Sequence, residues 1–313
     1  MASITSFFTL RYILLPILLS IVIYNYIYAC PANFKHSVVV ITGTSSGIGV
    51  ELAKQFGKQN ARLVLAARRE KELLETAKLA KEAGAEDVLV VPTDMTDINM
   101  IQNLIAKTVE YYHNDPIDVL VLNHALSEEY LFQEYNTTDE IAYSIGRTIQ
   151  ANLMGSIYTT HLALPYLEKS KQGGHIAVVS SASAKTPAPF HSGYVASKRG
   201  LHGFYDTIRH ELHLTKSKVS IGILVLGLIA TPGIIQDEGL IPLAMPVPAC
   251  AHEMICAIAS RWEESYIPKW YSIVTPFLQL HSGLTEWIAN SEYVGKIPRY
   301  VQRIANIQQN IGK

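Results

Sequence analysis

Cysteine is scarce in this 313-residue chain. Its three copies, Cys30, Cys250 and Cys256, fall into no metal-ligand or paired-disulfide spacing, so no metal is expected and the redox compartment stays open. An excess of either charge is missing too. Lys and Arg number 26 against 27 Asp and Glu, a net charge of −1, which argues against a nucleic-acid partner because such a partner calls for a basic face. Internal repeats, low-complexity tracts and a Gly/Ser/Pro linker are absent between Lys35 and Tyr271. That stretch therefore reads as one domain, within the ~250 residues that single α/β domains reach.

Charge disappears altogether from Tyr12 to Phe34, a run of 23 residues. As a helix the run would span about 35 Å, enough for the core of a bilayer. A cleaved signal peptide would carry small residues ahead of its cleavage point. Here Tyr24, Tyr26 and Tyr28 stand in that place, and tyrosines suit the membrane interface. The expectation is an uncleaved, single-pass N-terminal transmembrane anchor over 1–34 and a folded domain over 35–275. A C-terminal extension over 276–313 would then pack on the core, act as a lid or dimer arm, or meet the membrane. Arg11 precedes the apolar run and Lys35 follows it at greater distance, so the positive-inside rule leans toward a luminal domain. Asn136-Thr137-Thr138 is an N-glycosylation sequon, usable only on that side.

After the apolar run, β-branched stretches alternate with helical ones. Ser37–Thr42, Arg62–Ala67, Asp87–Pro92, Ile117–Asn123, His175–Ser180 and Val219–Val225 read as strands, with helices over Gly47–Asn60 and Arg69–Ala83. Nearly continuous apolar strands separated by crossover lengths predict an α/β, doubly wound parallel sheet. Between the first strand and first helix lies Thr42-Gly43-Thr44-Ser45-Ser46-Gly47-Ile48-Gly49. Glycines there let the backbone turn tightly and approach a pyrophosphate seated on the helix N-terminus, which makes the fold Rossmann-type. The alternative is a tight turn with no ligand. The second strand ends in Ala67-Arg68-Arg69 rather than in the acidic residue that holds an NAD ribose. Guanidinium groups suit a 2′-phosphate, so NADP(H) is expected; the plainer reading is two solvated arginines opening a helix.

Tyr194 and Lys198 are four residues apart, which on a helix places both on one face. A free phenol near pKa 10 is a poor acid–base group at neutral pH, and a neighbouring ammonium favours its ionised form. Ser181 follows the fifth strand, at the edge where doubly wound sheets keep their active residues. Its hydroxyl could stabilise charge on a carbonyl oxygen, with Ser180 and Ser183 as competitors. Asn152, inside a long predicted helix, costs helix propensity and so invites a functional role, against the plain alternative of a solvated side chain.

In order and spacing, the loop Thr42–Gly49, the strand end at Asn123, Asn152, Ser181 and the Tyr194/Lys198 pair resemble the short-chain dehydrogenase/reductase family, over about residues 37–233. The resemblance implies that Ser181 orients a substrate carbonyl and Tyr194 exchanges the proton, both touching substrate. It also implies that Lys198 lowers the phenol pKa and holds the cofactor ribose, and that Asn152 anchors a proton-relay water. The implied cofactor contacts run from Gly43, Thr44, Ser45, Ser46, Gly47, Ile48 and Gly49 through Arg68, Arg69, Asp94, Met95, Asn123, His124 and Ala125 to Tyr194, Lys198, Ile229 and Thr231.

Two departures narrow the likeness. Asn123-His124-Ala125-Leu126 replaces the family's Asn-Asn-Ala-Gly, and Leu226-Gly227-Leu228-Ile229-Ala230-Thr231 lacks its Pro-Gly. Both variants, and the apolar N-terminus with its tyrosines, resemble the 11β-hydroxysteroid dehydrogenase type 1 branch. That branch implies an endoplasmic-reticulum membrane protein with a luminal domain, NADP(H) use and a homodimer. It often carries lysine where this chain has Ser46, which leaves NADP selectivity mainly to Arg68. Apolar residues crowd Pro232–Pro248, among them Ile234, Ile235, Leu240 and Leu243, and suit a lipophilic substrate such as a steroid; ordinary core packing is the competing account. Retinoid, acyl or xenobiotic carbonyls would use the same catalytic set. A non-catalytic, cofactor-binding membrane scaffold would need none of it, and turnover unchanged by Tyr194→Phe would mark one.

Overall fold

The apolar runs form strands because most are buried from both sides, with the edge run Asp87–Pro92 only partly covered. In β1 (Val38–Thr42) every residue is fully buried. Side chains alternate between faces with the period of two that a strand imposes. Val39 and Ile41 join one core, while Val38 and Val40 join the other. The computed structural model describes Cys30 and residues 32–187, 189–232 and 244–280.

Seven parallel strands make one sheet in the order β3-β2-β1-β4-β5-β6-β7. They are β1, β2 (Arg62–Ala67), β3 (Asp87–Pro92), β4 (Val119–Leu122), β5 (His175–Ser181), β6 (Ser220–Leu226) and β7 (Glu264–Ile267). The order reverses direction between β1 and β4, and such a switch point opens a crevice at the carboxyl ends of the strands. The short edge strand β7 was absent from the sequence expectation. Only four residues long and beginning with an exposed Glu264, it lacks the apolar run that marks the others.

Helices cover both faces. On one side lie α1 (Gly47–Lys58), α2 (Glu70–Ala83) and α6 (Val247–Ser260), which contribute Leu52, Phe56, Leu73, Met254 and Ile258 to the first core. On the other lie α3 (Ile98–Tyr111), a long helix α4 over 138–167, and α5 (Ser192–Leu214), which contribute Leu104, Leu167, Leu201 and Tyr205 to the second. Helix α4 is interrupted by two π turns, Ala142–Gly146 and Gln150–Met154. A last helix, α7 (Tyr271–Leu280), runs across the boundary expected at 276.

The expected anchor lies almost wholly outside the described residues, as do 233–243 of the apolar segment and 281–313 of the C-terminal extension. No helix among the described residues is long and apolar enough to cross a membrane. Phe34, assigned to the anchor by sequence, is buried against Phe56 with ring centroids 5.0 Å apart. The cysteines require a correction. Cys30 and Cys256 form a disulfide across 226 residues of chain, a pairing that sequence spacing did not reveal because the fold, not proximity along the chain, brings the N-terminal segment back onto α6. Cys250 remains a buried free thiol.

Candidate active site

The glycine loop is shaped by contacts that tolerate no side chain. Gly43 and Gly47 adopt positive φ, +73° and +57°. A Cβ on Gly43 would lie 2.7 Å from the His124 Cα, and one on Gly49 would lie 2.1 Å from the Gly43 carbonyl oxygen. Ser46 precedes α1 without capping it through its side chain. The amides of the first turn are thus left to an outside acceptor, which is how such helices receive phosphate. Beside the loop opens a cavity of about 470 Å³, within the range of small-molecule sites. Its walls are Gly43, Ser45–Gly49, Ala67–Arg69, Thr93–Thr96, Asn123–Leu126, Ala151, Thr231 and Pro232. A glycine cradle, an uncapped helix start and two arginines on the rim fit a phosphate-bearing dinucleotide.

Most residues assigned to the cofactor line this cavity; four do not. Thr44 is fully buried, and its carbonyl accepts from Thr76 Oγ1 at 2.9 Å, tying the loop to α2. Ile229 sits in the core and bridges to Met245. Tyr194 and Lys198 stand apart, at the end of β5. On the rim, Arg68 is exposed, whereas Arg69 donates to Ser45 O at 3.3 Å and Ser45 Oγ at 3.1 Å and pairs with Glu72. Arg69 thus straps the loop to α2. Burial alone would raise the Asp94 carboxyl. Hydrogen bonds from the Thr96 backbone and hydroxyl, with the charges of Arg68 and Arg147, outweigh burial and hold the group below its ordinary value. Met95 is buried, with its carbonyl against Gly155. Asn123 donates through Nδ2 to the carbonyls of Thr42 and Gly43 at 3.1 and 3.2 Å, joining the end of β4 to the loop.

Helix α5 carries Tyr194 and Lys198 one turn apart, with the ammonium 5.6 Å from the ring centroid. Lys198 is buried, donates to Val179 O at 2.7 Å, and is pushed down by burial to about 8. Burial pushes the Tyr194 phenol up, and its hydrogen bond with Ser181 pulls it partly back. The competition among the three serines has a geometric answer. Ser181 meets the phenol. Ser183 supports it, donating through N at 3.2 Å and Oγ at 2.9 Å. Ser180 points to the opposite side, 2.9 Å from His202 Nε2.

Asn152 lies in the second π turn of α4, a distortion frequent at functional sites. It is buried rather than solvated. Its Oδ1 accepts from Leu126 N at 2.7 Å, and its Nδ2 donates to Leu126 O at 2.8 Å and to Ser197 Oγ at 3.0 Å. One side chain thereby joins the segment after β4 to the helix of Tyr194. Sequence reasoning passed over Ser197, and also Thr93, Thr96, Leu126, Ala151 and Pro232 on the cavity wall. Several of these stand just past a strand's carboxyl end, so the strand-end rule applied to β3 and β4 could have found them.

Residues 37–237 match the model of the short chain dehydrogenase family. A hydroxysteroid 11-beta-dehydrogenase 1-like protein of Xenopus tropicalis is 35% identical over 243 residues, 77% of this chain and 82% of that protein. The 11-beta-hydroxysteroid dehydrogenase-like 2 protein of Arabidopsis thaliana is 30% identical over 284 residues, 87% of this chain and 86% of that protein. Among solved structures, a short chain dehydrogenase/reductase from Burkholderia phymatum in complex with NAD superposes with a TM-score of 0.69 at 20% identity, covering 80% of this chain and 96% of that one. An alcohol dehydrogenase from Thermococcus sibiricus complexed with 5-hydroxy-NADP gives 0.63 at 24% identity, covering 74% and 96%. At such identities the two structures establish the fold.

Proposed function

The chain belongs to the short chain dehydrogenase family and resembles its 11β-hydroxysteroid dehydrogenase branch, and from that premise we propose an NADP(H)-dependent oxidoreductase that interconverts a carbonyl and an alcohol on a lipophilic, steroid-like substrate at the endoplasmic-reticulum membrane. The observation that carries the reading is the convergence of the Tyr194 phenol, the Ser181 hydroxyl that acts on its pKa, and a buried Lys198 one helical turn away, on the strand edge that also holds the glycine cradle.

A bound nicotinamide supplies or takes up the hydride. The chain supplies the rest. The Ser181 hydroxyl donates to the substrate oxygen and stabilises charge gathering there. The Tyr194 phenol gives that oxygen a proton in reduction and takes it back in oxidation. The Lys198 ammonium, with little water around it, favours the phenolate that forms when the proton leaves. Asn152 and Ser197 fix the helix on which both groups ride.

NADP(H) preference is supported by the exposed Arg68 on the cavity rim and by the lack of a carboxylate at the end of β2. Luminal placement is supported by the Cys30–Cys256 disulfide, since such bonds persist in oxidising compartments. The charge-free run Tyr12–Phe34 supports a membrane anchor, and the names of the vertebrate and plant relatives support a steroid-like substrate. The same resemblance supports a homodimer.

A panel of carbonyl and alcohol substrates with NADPH, NADH and their oxidised forms tests the reading on the solubilised full chain. Turnover should favour NADP(H), vanish in Tyr194→Phe and lose its cofactor preference in Arg68→Ala. Equal use of NAD(H) by the wild type would end the NADP assignment. Undiminished turnover in Tyr194→Phe would end the redox one.

A further inference from the structure

His124 was assigned to cofactor contact and stands on the cavity wall, yet it is almost fully buried and both its ring nitrogens are engaged within the fold. Its two nitrogens face two different elements. Nε2 lies 3.0 Å from the carbonyl of Ala151, in the π turn that carries Asn152. Nδ1 lies 2.8 Å from the hydroxyl of Thr42, the last residue of β1 and the first of the glycine loop.

The proton positions follow from the partners. A carbonyl can only accept, so Nε2 bears the hydrogen and Nδ1 is the acceptor. Thr42 Oγ1 already accepts from the amides of Asn123 at 3.0 Å and His124 at 3.3 Å; its one hydrogen faces two acceptors, Nδ1 at 2.8 Å and the Val121 carbonyl at 3.2 Å, and the shorter contact assigns it to Nδ1. The network closes in the neutral ring. Burial first, and the Lys198 charge second, push its pKa down to about 4, which keeps that form at physiological pH.

Two further bonds continue the chain. Ser156 Oγ, 3.4 Å from Nε2, donates to the Asn152 carbonyl at 2.7 Å. Asn152 in turn holds Ser197, three residues from Tyr194. We propose that His124 is a positioning residue: a rigid two-ended strut that sets the Asn152 turn against the start of the phosphate-binding loop, so that the nucleotide site and the proton-transfer helix share one register. Imidazole suits the task because its two nitrogens sit on opposite sides of a ring that cannot bend. The asparagine usual in the family at this position ends one atom short of Nε2, so it reaches one partner and leaves the other.

That geometry allows each end to be cut separately. A glutamine amide can take the place of Nε2, an asparagine amide that of Nδ1, and phenylalanine keeps the ring while losing both. The claim rests on the dinucleotide reading for its binding arm alone. Hydrogen–deuterium exchange on the full chain without ligand reads the turn, and NADPH fluorescence titration, repeated with NADH, reads the loop. Exchange in peptides spanning Gln150–Met154 should rise roughly tenfold in His124→Asn and His124→Phe, as expected when a buried carbonyl loses its donor, and return toward wild type in His124→Gln. Nucleotide Kd should rise by a similar factor in His124→Gln and His124→Phe, and recover in His124→Asn. On a substrate found by the panel above, kcat should follow exchange, while the KM for nucleotide should follow Kd. If all three variants changed exchange and Kd together, in proportion to their melting temperatures, or changed neither, His124 would be packing alone and the strut would be withdrawn. A wild type that turned over nothing would instead count against the oxidoreductase reading, with the exchange result still standing.

Discussion

Two buried imidazoles should make this fold acid-sensitive between pH 7.5 and 5, before carboxylates begin to matter. His124 is held near 4, by burial first and the Lys198 charge second. His175, at the start of β5 and 2.9 Å from Ser220 Oγ, is held near 3 by burial first and the Arg261 charge second. Both values lie below the 6.5 of a free imidazole, so the unfolded chain binds protons that the folded chain refuses. Their contribution is fully present above about pH 6.5 and is lost as pH falls toward the folded values. At pH 5 a free imidazole is ~97% protonated, which stabilises the unfolded state by about 2 kcal/mol per residue. The figure depends little on how far below 5 each folded value lies. Together the pair should remove about 4 kcal/mol, a large share of the 5–15 kcal/mol typical of domains. Urea unfolding at pH 7.5 and 5.0 measures the difference. His124→Gln and His175→Gln should each remove about half of it, and the double variant nearly all, whatever their absolute stabilities. The reasoning fails if the double variant loses as much stability on acidification as the wild type does.

Three further predictions follow from single contacts. Gly49→Ala places a methyl 2.1 Å from the Gly43 carbonyl oxygen, so nucleotide binding should disappear in calorimetry while circular dichroism shows the sheet intact. Cys256→Ser opens a 226-residue covalent loop, and stability in non-reducing urea titration should drop by about 2–5 kcal/mol; no drop would mean that the disulfide does not form in the purified protein. With a luminal domain, exposed Asn136 should carry a glycan in cells that make this protein, seen as a peptide-N-glycosidase shift that Asn136→Gln abolishes; full occupancy of a cytosolic form would contradict it.

Much of the architecture could be read from the chain because a parallel sheet buried on both faces writes itself as uninterrupted β-branched runs. Six strands obeyed that rule. Strand β7 escaped because it is four residues long and puts Glu264 and Ser265 where an apolar run would stand: Glu264 is exposed and accepts from Lys185 at 3.1 Å. The glycine loop was legible for a similar reason, since close backbone approach leaves only one residue type possible. What escaped reading was direction. Three nearby serines, Ser180, Ser181 and Ser183, at and just past the end of β5, differ mainly in the partners they face. His124 was legible as a cavity residue, and it stands on the wall, but nothing in the sequence showed that the polar partners of its ring lie in the interior. Long-range closure was invisible too, as no local spacing reports that Cys30 meets Cys256.

The interrupted helix α4 has a consequence for how this chain tolerates change in length. A π turn holds one residue more than the α turn it replaces, and one residue amounts to about 100° of rotation around a helix axis. Deleting a single position from Gln150–Met154 would therefore leave a good helix but swing everything beyond it by more than a quarter revolution. Ala163 and Leu167 would leave the sheet, and Asn152 would lose Leu126. Exposed positions along this element are free to drift, but its residue count is pinned at that turn.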